Sequence, residues 1–241
     1  MNTFRHYCEI LDELIERNEF FQFYFQDPYA LYGTVNAADG YYMPPTVELC
    51  CGVSRGALIS EDCDEIVKFD IEEYSGTCAK EIEIYEDAVG SDVSECFARG
   101  YLCGIYEKRI RTWKQYDVCD YVDTMCPEEE FHYACTRYFS EEDKEEILIR
   151  IPLYAYEKAN SIGYLSNDIE DEEEELASSY TNSPLMERDS YIAASFVHEY
   201  GEEKYADLSQ FLMEEKVNDI HCGNVGWIGK RFVIIDYAGF D

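Results

Sequence analysis

The chain of 241 residues predicts an α+β fold, with strands gathered in its first half and helices in its second. Two patterns carry this expectation. Runs rich in β-branched and aromatic residues, bounded by glycine or acidic turns, fall between positions 47 and 118, while apolar residues recur at three- and four-residue intervals near the start and again after position 127. A hydrophobic content of 46% is enough for a sizeable core, so the chain suffices for one two-part domain.

Phe4, Tyr7, Cys8, Leu11, Leu14 and Ile15 repeat at helical spacing and predict an amphipathic helix at the start. An aromatic stretch, 20–32, follows, and Asp39-Gly40 and Pro44-Pro45 punctuate a loop. Residues 47–59 read as strand, glycine-containing turn and strand, with Gly52, Ser54 and Gly56 around the turn. Residues 65–71 read as a third strand centred on Lys68. Thr77 is a fitting N-cap for a helix to Val89, whose Glu81, Glu83, Glu86 and Asp87 also suit a plain solvated face. Stretches 97–106 and 110–118 read as two further strands, completing a five-stranded antiparallel sheet, and the acidic segment 117–123 as a hinge. Helices are expected over 128–139, 141–156, 189–200 and 204–215, the last with Tyr205, Leu208, Phe211 and Leu212 on one face. Between them, Asp168 to Glu175 holds seven acids and one apolar residue, which reads as a solvated loop.

The chemistry gathers at the end. Asp219-Ile220-His221-Cys222-Gly223-Asn224 precedes a stretch, 225–235, that reads as two short strands joined by a turn containing Gly229. A hairpin there returns the chain and sets Asn224 opposite Asp236. An amide oxygen and a carboxylate converging in that way suit Mg²⁺, a hard ion that takes oxygen ligands and keeps phosphate oxygens and waters in its shell. The plain alternative is a set of ordinary turn residues.

This arrangement resembles the catalytic loop and metal-binding Asp of the protein-kinase-like superfamily. The likeness is to the D-x-H-x-G-N form seen in aminoglycoside and choline kinases and in kinase-like proteins of bacteria and their phages. The resemblance implies a two-lobed fold: an extension over 1–46, a small sheet lobe over 47–123 and a mainly helical, C-terminally minimal lobe over 124–241. It implies ATP and Mg²⁺ as cofactors, with Asp219 as catalytic base, Asn224 and Asp236 as metal ligands, and Asp236-Tyr237-Ala238-Gly239 as the D-F-G-type motif. It implies that Lys68 pairs with the nucleotide phosphates, that Glu81 or Glu83, with Glu81 preferred, holds that lysine, and that Gly52, Ser54 and Gly56 cover the phosphates. The chain departs from the pattern at Val217-Asn218, where the family carries His-Arg or His-Gly, and at the phosphate loop, where the full G-x-G-x-x-G is missing. It also lacks the usual activation segment after Asp236.

Charge bounds the partners. Aspartate plus glutamate number 52 against 19 lysines and arginines, a formal net charge of −33. Nucleic-acid binding needs a basic surface and is not expected. A basic protein is the partner such a field attracts, as substrate of a kinase or as target of a catalytically silent, acidic nucleic-acid mimic. A metallo-hydrolase built on His198 and His221 is disfavoured, since no H-x-x-x-H spacing occurs. No apolar run of membrane-spanning length and no leader-like segment stands out, and 11 scattered cysteines without a C-x-x-C pair suit a reduced cytoplasm, including that of a phage host.

Overall fold

Asn2 starts the first helix: its side chain accepts the Arg5 N–H at 2.9 Å, and α1 (Thr3–Arg17) buries Tyr7, Ile10, Leu11, Leu14 and Ile15 on one face. The structure, a computed structural model, describes residues 2–26, 40–52, 54–71, 76–162, 191–218 and 220–238. They divide into two compact units, one of Met1–Cys78 with Leu102–Ala155, the other of Ala79–Tyr101 with Tyr156–Asp241.

The first unit is built on a five-stranded antiparallel sheet in the order β1-β2-β3-β5-β4, with β1 at Val47–Cys51, β2 at Arg55–Ser60, β3 at Glu65–Asp70, β4 at Gly100–Thr112 and β5 at Glu145–Glu157. The first three strands form a meander, pairing Leu49 with Leu58 and Ala57 with Lys68. Helix α1 is fixed to this sheet by polar bonds as well as by its apolar face. The Tyr7 hydroxyl donates to the Glu65 carbonyl at 2.6 Å and accepts the Ser60 N–H at 3.2 Å. Lys108 of β4 reaches Asp12 at 2.7 Å and Glu16 at 2.8 Å, and the Tyr106 hydroxyl also bonds Asp12. The buried Asn18 ends α1 and accepts the Tyr42 N–H at 2.6 Å. Helix α2 (Glu19–Tyr24) then buries Phe20, Phe21, Phe23 and Tyr24.

Two expectations are corrected here. The stretches 97–106 and 110–118 are not two strands: β4 is a single strand through Thr112, and the expected hinge is the end of a short helix, α4 (Gln115–Cys119), and its turn. No glycine or proline interrupts 105–112 to turn the chain. The fifth strand is instead β5, within the region expected as the helix 141–156; before it a capped 3₁₀ turn at Glu141–Asp143 is all the helix that forms. Ile149, Ile151, Leu153 and Ala155 are buried at every second position, and Pro152 would have sat in a helix interior, where it removes a hydrogen bond and clashes. Helix α5 (Glu128–Tyr138) lies as expected and buries Phe131 and Cys135.

The second unit holds most of α3 (Thr77–Gly90), together with α6 (Tyr191–Tyr200), α7 (Glu202–Glu214) and a three-stranded sheet in the order β6-β7-β8. Strands β6 (Asn160–Ser161), β7 (Val225–Ile228) and β8 (Arg231–Ile234) are antiparallel. The β7–β8 hairpin forms where expected, with Gly229 at φ +63° in its turn, a conformation that glycine adopts without a Cβ penalty. Phe232 packs edge-on against Phe196 at 4.9 Å between ring centroids. Phe97 bridges Ile234 in parallel, and the Ala98 N–H donates to the Ile234 carbonyl at 2.8 Å. The acidic run 168–175 lies outside the described residues. No described helix is long and apolar enough to cross a membrane.

Candidate functional site

Three consecutive residues after β8, Ile235-Asp236-Tyr237, meet both the Asn224 backbone and the Glu81 side chain. The turn before β7 is shaped by His221, whose Nδ1 accepts the Gly223 N–H at 3.0 Å, and a 3₁₀ turn follows over Cys222–Asn224. The Asn224 N–H donates to the His221 carbonyl at 2.9 Å, and the Asn224 carbonyl accepts the Ile235 N–H at 2.8 Å. Because Val225 pairs with Ile234, Asn224 stands opposite Ile235 and beside Asp236 at the open end of the hairpin. Both Asn224 and Asp236 are half-buried.

Glu81 comes to the same segment from α3. It is fully buried, and its Oε1 accepts the Tyr237 N–H at 2.9 Å, whereas Glu83 is exposed on the helix. A buried carboxylate needs such a donor, since leaving it bare of hydrogen bonds would cost several kcal/mol or shift it to the neutral form. Tyr237 is the residue here whose part the sequence left unassigned. It is fully buried, its hydroxyl donates to the Ala98 carbonyl at 3.0 Å, and its ring meets Phe97 at 5.1 Å between centroids. The signal was its place directly after Asp236, in the position a phenylalanine takes in the motif; only burial shows that it ties Asp236 to two other segments.

The first unit holds the remaining candidates. Lys68 sits on β3 opposite Ala57 and is 7% exposed, between Val67 and Phe69, which are also buried. Gly52 and Ser54 form the β1–β2 turn, closed by the Gly52 N–H to the Arg55 carbonyl at 2.8 Å, while the Ser54 carbonyl accepts the Ile71 N–H at 2.8 Å. Gly56 lies inside β2 rather than in the turn, and an added Cβ there would come within 2.5 Å of the Phe69 ring. Asp70, at the end of β3, accepts the Cys78 N–H at 3.0 Å in the first turn of α3. Asp219 lies outside the described residues.

The donors fit a hard divalent cation in kind: Asn224 and Asp236, close in register at the hairpin end, carry an amide oxygen and a carboxylate, and would leave further positions to phosphate oxygens and water. Among the described residues no group of three or more His, Cys, Asp and Glu side chains is placed to hold a metal by itself. His198 is exposed on α6, so the two-histidine alternative gains nothing. No protein-family model matches the chain, and no curated protein or solved structure does either.

Proposed function

We propose that the protein is an ATP- and Mg²⁺-dependent phosphotransferase acting on a hydroxyl of a basic partner protein, in the manner of a compact Ser/Thr kinase. The observation that carries this reading is that the amides on either side of Asp236 are held, that of Ile235 by the Asn224 backbone carbonyl and that of Tyr237 by the buried Glu81 carboxylate. Ordinary turn residues do not need a fully buried glutamate to hold the backbone beside a half-buried aspartate. Lys68, buried in the middle of β3, is the strand lysine that would serve the nucleotide phosphates in this reading.

Phosphoryl transfer depends on positioning and on electrostatics more than on covalent chemistry by the protein. Asn224 and Asp236 would hold Mg²⁺, which when bound neutralises charge on the phosphate oxygens. Lys68 would pair with the inner phosphates, and Asp219 would accept the proton that the attacking hydroxyl gives up as the phosphoryl group leaves ADP behind. Glu81 acts on Asp236 through the Tyr237 amide, which makes it a positioning residue.

The net charge of −33 supports a second reading, a catalytically silent binder of a basic protein. Thermal shifts with ATP separate the two. A nucleotide that binds only the folded state at about a hundred times its Kd raises the midpoint of a chain of this size by roughly 5–10 °C. The expected result is a Mg²⁺-dependent rise in the wild type, lost in Lys68→Ala and in Asp236→Asn, followed by labelled-phosphate transfer to a basic protein. No rise in the wild type would reject the phosphotransferase and leave the silent binder.

A further inference from the structure

We infer that an exposed aromatic ledge formed by Tyr121 and Tyr138 in the first unit, within an acid-rich stretch of chain, is a docking surface for an arginine- and lysine-rich segment of a partner protein. The two rings lie 5.7 Å apart between centroids and are tilted by 34°, and Tyr121 also stands edge-on to Phe139 at 5.9 Å. Phe139 in turn meets Trp113 at 6.4 Å, and Trp113 is buried, so the ledge is footed on the core rather than being two mobile side chains. Even so, Tyr121 is 60% exposed and Tyr138 51% exposed. An exposed aromatic pair fixed on the core offers ring faces to a partner without a large ordering cost.

The occupant follows from the charge around the ledge. From Gln115 to Asp143 the sequence carries nine aspartates and glutamates against one arginine. Asp117, Asp120 and Asp123 are exposed within four residues of Tyr121. That arginine, Arg137, lies over the Tyr138 ring at 5.7 Å. The two lysines flanking the stretch are engaged: Lys114 bonds Glu145 at 2.6 Å, and Lys144 lies 4.3 Å from the Trp113 ring centre and bonds Glu141 at 3.0 Å. These three cations leave the stretch with a clear excess of carboxylates, and among the described residues no cation lies over the Tyr121 ring. Exposed phenol rings in an acid-rich stretch suit a guanidinium, through attraction to the ring face and bidentate bonds to the acids. The inference specifies where the basic partner named above docks, but it does not depend on phosphate transfer, and a silent binder would use the same surface.

The test is fluorescence anisotropy with a labelled peptide of Arg-Arg-Ser repeats, at moderate salt, against the full chain. Tyr121→Ala with Tyr138→Ala is expected to weaken binding by about tenfold, and Tyr121→Phe with Tyr138→Phe to leave it near wild type, since the ring and not the hydroxyl is used. Asp117→Asn, Asp120→Asn and Asp123→Asn together are expected to weaken it to a similar degree and to flatten its dependence on salt. A charge-matched control on the second unit, Glu202→Gln with Glu203→Gln and Asp207→Asn, is expected to change it less than twofold. Circular dichroism melts check that each variant is folded. The inference is overturned if the peptide does not bind the wild type, if removing both rings from a folded protein leaves binding unchanged, or if the control variant weakens it as much as the ledge variants do. Loss of peptide binding with the ATP-induced thermal shift intact would separate failure of the ledge from failure of the nucleotide site.

Discussion

Gly56 illustrates how a residue type that suggests one job is held by another. A Cβ at this position meets Phe69 Cζ at 2.5 Å and Cε2 at 2.7 Å, and Phe69 is fully buried, so its ring has no room to swing away. Gly56→Ala is expected to lower stability by about 1–3 kcal/mol, the cost of overpacking a core, after a small gain from a stiffer unfolded chain. At Gly52, which is exposed and whose nearest foreign atom is the Arg55 carbonyl oxygen at 3.8 Å, the same change should fall within about 0.5 kcal/mol. Urea denaturation of the two variants measures this, and equal stability at both positions would mean that Phe69 yields. Sequence alone placed both glycines in one phosphate loop because spacing is visible in a sequence and a ring lying across a strand is not. The choice between Glu81 and Glu83 was open for the same reason: neighbouring acids on one helix look alike until burial separates them.

Elements were legible where a strong pattern met no rival. The 3.6-residue stripe of α1, the alternation through β1 and β2, and the glycine turn between β7 and β8 all appear close to their expected bounds. Strand β5 was hidden by its neighbours, because the acidic, lysine-containing lead into it resembles a helix start and outweighed four alternating apolar residues behind it. The contact between α5 and α2 was not legible at all. Glu128, in the first turn of α5, accepts the backbone N–H groups of Glu19 and Phe20 and so caps α2 from across the unit. Burial nonetheless pushes its carboxyl up to about 7, with the charge of Glu19 acting the same way, while the two amides and His132 oppose the rise. A folded value above the unfolded one means that this group's contribution is complete below pH 4.5 and is lost as pH climbs through about 7. Wild-type stability is therefore expected to fall between about pH 5 and 8 more steeply than that of Glu128→Gln, in melts followed by circular dichroism. Parallel curves for the two proteins would show that Glu128 does not titrate in that window.

Across the whole molecule the excess of acid is visible in how the cations are shared. Lys108 serves Asp12 and Glu16, Lys144 serves Glu19 and Glu141, and Lys204 serves Asp92 and Glu95, so each lysine is divided between carboxylates. A net charge of −33 then acts against compactness by self-repulsion, an effect that salt screens over a Debye length falling from ~30 Å at 0.01 M to ~10 Å at 0.1 M. The exposed pairs lost to the same screening are worth only about 0–1 kcal/mol each. Raising salt across that range is expected to raise the melting midpoint, and a fall would mean that the shared pairs outweigh the repulsion.

The two units also differ in when they can be finished. All the segments of the first have been made once residue 155 has left the ribosome, and Arg99 can pair with Glu157 directly afterwards, but Phe97, Ala98 and Glu81 of the second have partners at Ile234 and Tyr237, near the far end of the chain. Phe97 and Ala98, both fully buried at the end, wait for Ile234 through more than half of synthesis, on the order of ten seconds at ordinary rates of elongation. The Phe97 ring likewise waits for Phe211 and Tyr237, the rings it meets in the finished fold, which makes this apolar stretch one that a chaperone would need to shield during synthesis.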